Sequence, residues 1–398
     1  MTTDPRKPLS RASQLIHGGT RRSAYGEMSE AIFLTQGFVY DTAESAQQRF
    51  EADDLGDLYI YARYGNPTVA MFEDRMAGYE GAEAGFATAS GMAAVNGAVF
   101  SQVQAGDHVV ASKALFGSCL YIIDTLLRRF GVEVTLVEGT DLQAWRDALS
   151  RETKVVFFES PSNPMMEVVD IAAVSELAHA AGACVVVDNV FATPLFQSPL
   201  ELGADVVVYS ATKHIDGQGR CLGGIVLGRK SFIRGDLQTY MKHTGGSMSP
   251  FNAWVLLKSL ETLELRVRAQ SETARILASL IADHPALLSL TYPGRPDHPQ
   301  AELIARQMKG GSSLITFCLK EGQAGAFRFL NALRLFQITN NLGDAKSLAT
   351  YPGTTTHQRL SEAERLALGI HPGTVRISCG LEAVDDLGAD LNQALSAV

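Results

Sequence analysis

Between Gly81 and Gly228 the chain alternates short β-branched runs with stretches whose apolar residues recur at helical spacing. The strand-like runs are Gly85 to Thr88, His108 to Ala111, Val132 to Val137, Val155 to Phe158, Cys184 to Val187, Val206 to Tyr209 and Gly224 to Leu227. Helical segments such as Ile171 to Ala180 separate most of them. This alternation predicts an α/β fold, a mainly parallel seven-stranded sheet covered by helices on both faces. Open sheets of this kind collect ligands at the carboxyl ends of their strands. Ser90, Glu159, Asp188 and Ser210 all stand just after strand-like runs, so they are expected to converge on one crevice.

The flanking regions read differently. Residues 1–65 have no clear period and are rich in Gly, Ser and Tyr, which suggests an extended arm packed on a neighbouring subunit. Residues 66–264 form the expected ligand-binding domain. Pro250 sits at the first turn of a predicted long helix, Phe251 to Leu265, that leads into a smaller C-terminal α/β domain over 265–398.

Composition narrows the function without naming it. A formal net charge of −9 gives no footprint for nucleic acid or an anionic membrane. No apolar run is long enough for a membrane span, and Met1 to Lys7 lead into no apolar segment of a secretory signal. Five scattered cysteines, none in a C-x-x-C pair, argue against a disulfide framework or zinc site and suit a reducing cytoplasm. Cys221, eight residues past Lys213, reads as a small hydrophobe beside a Gly-Gly pair rather than a redox centre.

The chemistry gathers at two strand ends. Val206 to Tyr209 runs into Ser210, Ala211, Thr212 and Lys213, and Cys184 to Val187 runs into Asp188. A lysine partly desolvated at a strand end has a lowered amine pKa and is suited to form an imine. A carboxylate buried after three valines needs a cation or several donors, although a helix N-cap would also account for Asp188. Ala89 to Ala94 describes a strand feeding a small-residue turn that opens a helix, a place for a dianion. Lysine, ring-nitrogen acid and phosphate cup together are the requirements of pyridoxal 5′-phosphate. Gly217-Gln218-Gly219 lacks the helix start of a dinucleotide fingerprint, so a nucleotide-binding dehydrogenase fits poorly. A non-catalytic binding module would not need the lysine and aspartate.

As a set, these residues resemble the Cys/Met-metabolism family of pyridoxal-phosphate enzymes, which have the aspartate-aminotransferase-like fold (fold type I). The matching motifs are Tyr61 to Thr68 (YARYGNPT), Ser90-Gly91-Met92, Glu159 to Pro164 (ESPSNP), Asp188-Asn189, Ser210 to Lys213 (SATK) and Arg376 to Glu382 (RISCGLE). The resemblance implies that Lys213 holds the cofactor and moves protons, Asp188 pairs with the ring nitrogen and Asn163 reaches the ring hydroxyl. It assigns phosphate binding to Ser90, Gly91, Met92, Ser210 and Thr212, with Tyr61 and Arg63 reaching across from a neighbouring subunit. It gives Arg376 the substrate α-carboxylate and Ser347 a part in positioning lysine and substrate. Tyr61 assists in proton transfer on this reading, and the assembly is a homotetramer built from dimers that share active sites.

Further phrases, among them Leu115 to Cys119 (LFGSC) and Lys213 to Arg220 (KHIDGQGR), are most similar to members that exchange the succinyl ester of homoserine for sulfide. The expected reaction is γ-replacement, O-succinyl-L-homoserine plus sulfide giving L-homocysteine and succinate. Close alternatives use cysteine as the nucleophile or an acetyl ester. One departure bears on this choice: most relatives carry a tyrosine over the ring where this chain has Phe116. The change keeps an aromatic face and removes an acid. A thiolate leaving group profits from a proton donor; succinate, a far weaker base, does not need one. Arg21, Arg22 and His357 are candidates for the acyl group, and each also fits a surface or structural role.

Overall fold

The computed structural model describes residues 9–52, 56 and 58–398; the N-terminal reading of Met1 to Lys7 lies outside them. Seven strands form the main sheet: β1 (Ala84–Thr88), β2 (His108–Ser112), β3 (Glu133–Val137), β4 (Val155–Glu159), β5 (Cys184–Asp188), β6 (Val206–Ser210) and β7 (Gly224–Gly228). Their spatial order is β1-β7-β6-β5-β4-β2-β3. The pairs β3/β2, β2/β4, β4/β5 and β5/β6 are parallel, and only β7 runs against its neighbours. All seven expected strands are present.

Both faces of this sheet are buried, which is why its strands are apolar almost throughout. Because side chains alternate across a strand, Val206 and Val208 join one core while Val207 and Tyr209 join the opposite one. Phe157 and Val186 likewise share the first core, and Phe158, Val185 and Val187 pack with Trp145 and the helix Ile171–Ala180 on the other face. Strand direction follows from this covering. The crossover helices force parallel pairs, and all carboxyl ends except that of β7 reach the same edge.

A second sheet of five strands has the order β10-β11-β12-β9-β8, from β8 (Leu287–Thr291), β9 (Leu314–Leu319), β10 (Gln337–Ile338), β11 (Leu348–Thr350) and β12 (Thr374–Ser378). Its core includes Phe317, Phe329, Val375 and Ile377, with Leu277 and Ile281 from the connecting helix. That connection differs from the single helix expected over Phe251 to Leu265. It is two helices, Pro250–Leu260 and Leu263–Ile281, broken at Glu261 and Thr262. Arg266 explains how the break is tolerated. Its buried guanidinium donates to the Ser259, His214 and Ile215 carbonyls, so the freed helix end is satisfied from the second helix.

The N-terminal segment is also less extended than expected. Arg11–His17 is a helix that buries Leu15 in the main core, and Ala43–Glu51 is a helix with no buried residue. Between them Glu30 meets the buried Arg75 at 2.5 Å, anchoring the segment to its own chain. Tyr25, Met28 and Val39 are nonetheless about nine-tenths exposed. Among the described residues no helix is long and apolar enough to cross a membrane.

Candidate active site

Glu159 and Asp188 are the last residues of β4 and β5 and face each other in register. Ser210 ends β6, and Lys213 follows one turn later, its backbone N–H donating to the Ser210 carbonyl. Side chains at these ends escape the apolar layers while remaining walled in by them. Burial pushes the Asp188 carboxyl up; the Val190 amide, donating at 3.0 Å, and the Lys213 charge oppose the rise. Burial pushes the Lys213 amine down to about 8, helped by the nearby Arg376 cation and opposed by Asp188. An amine so placed has an appreciable free-base fraction near neutral pH.

The second sheet supplies the other wall. Lys213 Nζ donates to Asn341 Oδ1 at 2.5 Å. Arg376, on β12 and almost completely buried, donates through Nη1 to Asn163 Oδ1 at 2.8 Å and through Nη2 to the Asn340 and Asn341 carbonyls at 3.1 Å. Its Nε is buried without a hydrogen-bond partner. A buried donor left unsatisfied is costly, and a substrate carboxylate would satisfy it. The Arg376 guanidinium carbon lies over the Phe191 ring, 5.7 Å from its centroid. His357, beside Arg376, is held to about 4 by burial and that cation, so it is neutral.

The phosphate end is built by close approach of a helix and a strand. The helix Gly91–Phe100 follows β1 and packs across β6, with Ser90 capping it by accepting from the Ala93 amide at 3.2 Å. A Cβ on Gly91 would lie 2.6 Å from the Ser210 Cβ, so only glycine allows this approach. The helix N-terminus and the Ser210 hydroxyl therefore share one small cradle suited to an anion. Met92 packs partly against the core beneath it, and Thr212 exchanges hydrogen bonds with Gly223 at the rim. Phe116 lies over the β4 end, its amide donating to Glu159 Oε1 at 2.6 Å.

Contacts thus tie Lys213, Asp188, Glu159, Asn163, Arg376 and Phe116 together at the strand ends, with Ser90, Gly91 and Ser210 at the neighbouring helix start and Met92 and Thr212 flanking them in sequence. Ser347 is placed otherwise. Its hydroxyl donates to Glu382 at 2.8 Å and accepts from the Gly380 amide, and the side chain that meets the lysine is Asn341. Sequence reasoning missed Asn341 because a long-range turn delivers it. Gly343, at φ 72°, lets the loop lie against the residue after the lysine, where a Cβ would come within 2.7 Å of the His214 nitrogen. Tyr61 and Arg63 do not reach this crevice within one chain. Arg63 stacks over Tyr64 at 4.8 Å, donates to the Lys242 carbonyl and lines a separate cavity of about 630 Å³. Arg21 is paired with Asp74 and so ties the N-terminal segment to the helix Pro67–Glu80, whereas Arg22 donates to the Glu27 and Met28 carbonyls within the segment.

Comparison with known proteins identifies the family. Residues 12–396 match the family described as Cys/Met metabolism PLP-dependent enzyme. The chain is 53% identical to an O-succinylhomoserine sulfhydrylase of Mycobacterium tuberculosis, over 98% of this chain and 96% of that protein. It is 46% identical to one of Pseudomonas aeruginosa, over 96% and 94% respectively. A Campylobacter jejuni crystal structure containing N′-pyridoxyl-lysine-5′-monophosphate superposes with a TM-score of 0.93 at 31% identity, covering 98% of this chain and 100% of that one.

Proposed function

Since the chain belongs to the Cys/Met-metabolism family of pyridoxal-phosphate-dependent enzymes, we propose that it makes L-homocysteine and succinate from O-succinyl-L-homoserine and sulfide, a step of methionine biosynthesis. The observation that carries this reading is the convergence of Lys213, Asp188 and Arg376 on one crevice, with the lysine amine held by Asn341. When bound, the cofactor supplies the electron sink that stabilises charge at the substrate α carbon.

The residues present fit that cofactor. Asp188, whose carboxyl accepts from the Val190 amide and has Lys213 as its nearby cation, would hold a protonated ring nitrogen. Asn163 gives its amide oxygen to Arg376, which leaves its amide nitrogen to face the ring hydroxyl. Ser90, Gly91, Met92, Ser210 and Thr212 would surround the phosphate. Arg376 Nε, with an Nη group, would take the substrate α-carboxylate as a two-point contact.

Lys213 Nζ would remove the proton from the substrate α carbon and return protons during the later steps. An amine near 8 is basic enough for this and, unlike an ordinary lysine, keeps an appreciable unprotonated fraction near neutral pH. Asn341 Oδ1 orients that nitrogen. Phe116 offers a face and no proton, which suits departure of succinate as a carboxylate and disfavours expulsion of an alkyl thiolate. The relatives named sulfhydrylase support sulfide as the incoming group.

Tyr61 and Arg63 would complete the phosphate site of a neighbouring subunit, with Tyr61 assisting in proton transfer. Their separation from the crevice of their own chain supports this, as do the exposed Tyr25, Met28 and Val39 of the arm. A homotetramer of such dimers, working in the cytoplasm, is the corresponding assembly. The test is a rate comparison of O-succinyl- and O-acetylhomoserine with sulfide, and of O-succinylhomoserine with cysteine. Fastest homocysteine formation from the succinyl ester and sulfide supports the reading; efficient methionine cleavage with little replacement would sink it.

A further inference from the structure

Glu159 is buried in the crevice wall and has no part in the chemistry above. Its carboxylate, that of Asp188 and the Cys119 sulfur lie within 4.8 Å of one another. The groups that donate to Glu159 are neutral, namely the Phe116 amide at 2.6 Å, the Cys119 thiol and the Asn163 amide. Of the two cations bordering the crevice, Lys213 faces Asp188 and Arg376 is bound to Asn163 and the Asn340 and Asn341 carbonyls. Burial pushes the Glu159 carboxyl up and the Asp188 charge pushes it further, outweighing the opposing pull of the Phe116 and Asn163 backbone amides and the Cys119 thiol. Cys119 is also buried and stays a thiol, so it adds no charge to the cluster.

Two carboxyl groups this close and this dry do not both ionise. A protonated ring nitrogen would fix the negative charge on Asp188, which leaves the proton of the pair with Glu159. We propose that Glu159 is a positioning residue that remains a neutral carboxylic acid beside Asp188, holding the Phe116 amide through Oε1. The inference rests on the pairing of Asp188 with the ring nitrogen. One side chain then sets two cofactor contacts at once. Its acceptor oxygen fixes the start of the helix at Gly117, and so the aromatic face. Its neutrality leaves Asp188 as the single charge beneath the ring nitrogen.

The test uses the full-length holoenzyme and the variants Glu159→Gln, Glu159→Ala and Asp188→Asn. The readouts are cofactor dissociation constant, visible circular dichroism of the bound cofactor and the infrared stretch of protonated carboxyl groups. Glutamine is neutral and keeps the acceptor oxygen, so Glu159→Gln should bind the cofactor within about threefold of the parent, with the same dichroism. Glu159→Ala should bind about tenfold more weakly or worse, the scale of losing a buried hydrogen-bond acceptor, with altered dichroism. A protonated-carboxyl stretch present in the parent at neutral pH should vanish in Glu159→Gln, and this readout stands even if the alanine variant does not fold. Glu159→Gln as weak as alanine, an unaffected alanine variant, or no such stretch in the parent would each overturn the inference. Unchanged cofactor affinity in Asp188→Asn would instead overturn the ring-nitrogen pairing on which it rests.

Discussion

The edge formed by β4, β5 and β6 and the arm before residue 66 treat polar and aromatic groups in opposite ways. At the edge, nearly every functional side chain is fixed from within the chain: Lys213 by Asn341, Arg376 by Asn163 and two carbonyls, Phe116 by Glu159. In the arm, Tyr25, Met28 and Val39 are left to solvent, and Arg63 lines a cavity that Lys213 does not line. The strand-end groups are held by partners within the chain, whereas the arm leaves large apolar side chains exposed. Rigid strand ends suit groups that must be placed within fractions of an ångström, and on the proposed function the arm is the part that would serve another chain.

The comparison is broken most severely at the lysine. Lys213→Ala should abolish the visible band of the bound cofactor and lower turnover by about a thousandfold or more, the scale of losing a central acid–base group. A spectrum and a steady-state assay check both. Next in size, Arg376→Lys replaces a planar two-point donor by a point charge and should raise KM for the amino-acid substrate by about tenfold to a hundredfold, with a smaller change in kcat. Arg63→Ala tests the other region. It should weaken activity while leaving the cofactor-bearing lysine intact, and mixing it with Lys213→Ala subunits should recover part of the activity in hybrid assemblies. No recovery in verified hybrids would contradict a site shared between chains.

A smaller effect concerns the apoenzyme. The Lys213 amine must lose its proton before it can attack the cofactor aldehyde, and burial lowers its pKa to about 8. Recombination of apoenzyme with pyridoxal phosphate should therefore quicken as pH rises through about 8 and level off above it, well below the range of an ordinary lysine. Asn341→Ala should move this transition and slow turnover by about fivefold to tenfold, the scale of one buried hydrogen bond. Stopped-flow absorbance at stepped pH follows both.

Much of the edge was legible because burial on both faces leaves an unmistakable trace. The valine-rich runs ending in Asp188 and Ser210 marked strand, direction and ligand edge together. The arm carried no such trace, and its helix Arg11–His17 went unread because only Leu15 is buried along it. The break at Thr262 was hidden for a related reason: the side chain of Arg266 donates to the Ser259 carbonyl before the break, a contact that leaves no period in the sequence. Asn341 marks the limit for the site. Its meeting with Lys213 depends on Gly343 and on the packing of two sheets, whereas Ser347, the residue expected there, turns its hydroxyl to Glu382.

The claim that everything else depends on is that the end of β6 carries the cofactor. Borohydride reduction of the holoenzyme, followed by proteolysis and mass mapping, tests it directly. The pyridoxyl group is predicted on the peptide containing Lys213 and on no other lysine. A pyridoxyl label on a different lysine, or a cofactor that reduction does not fix to the chain, would contradict it.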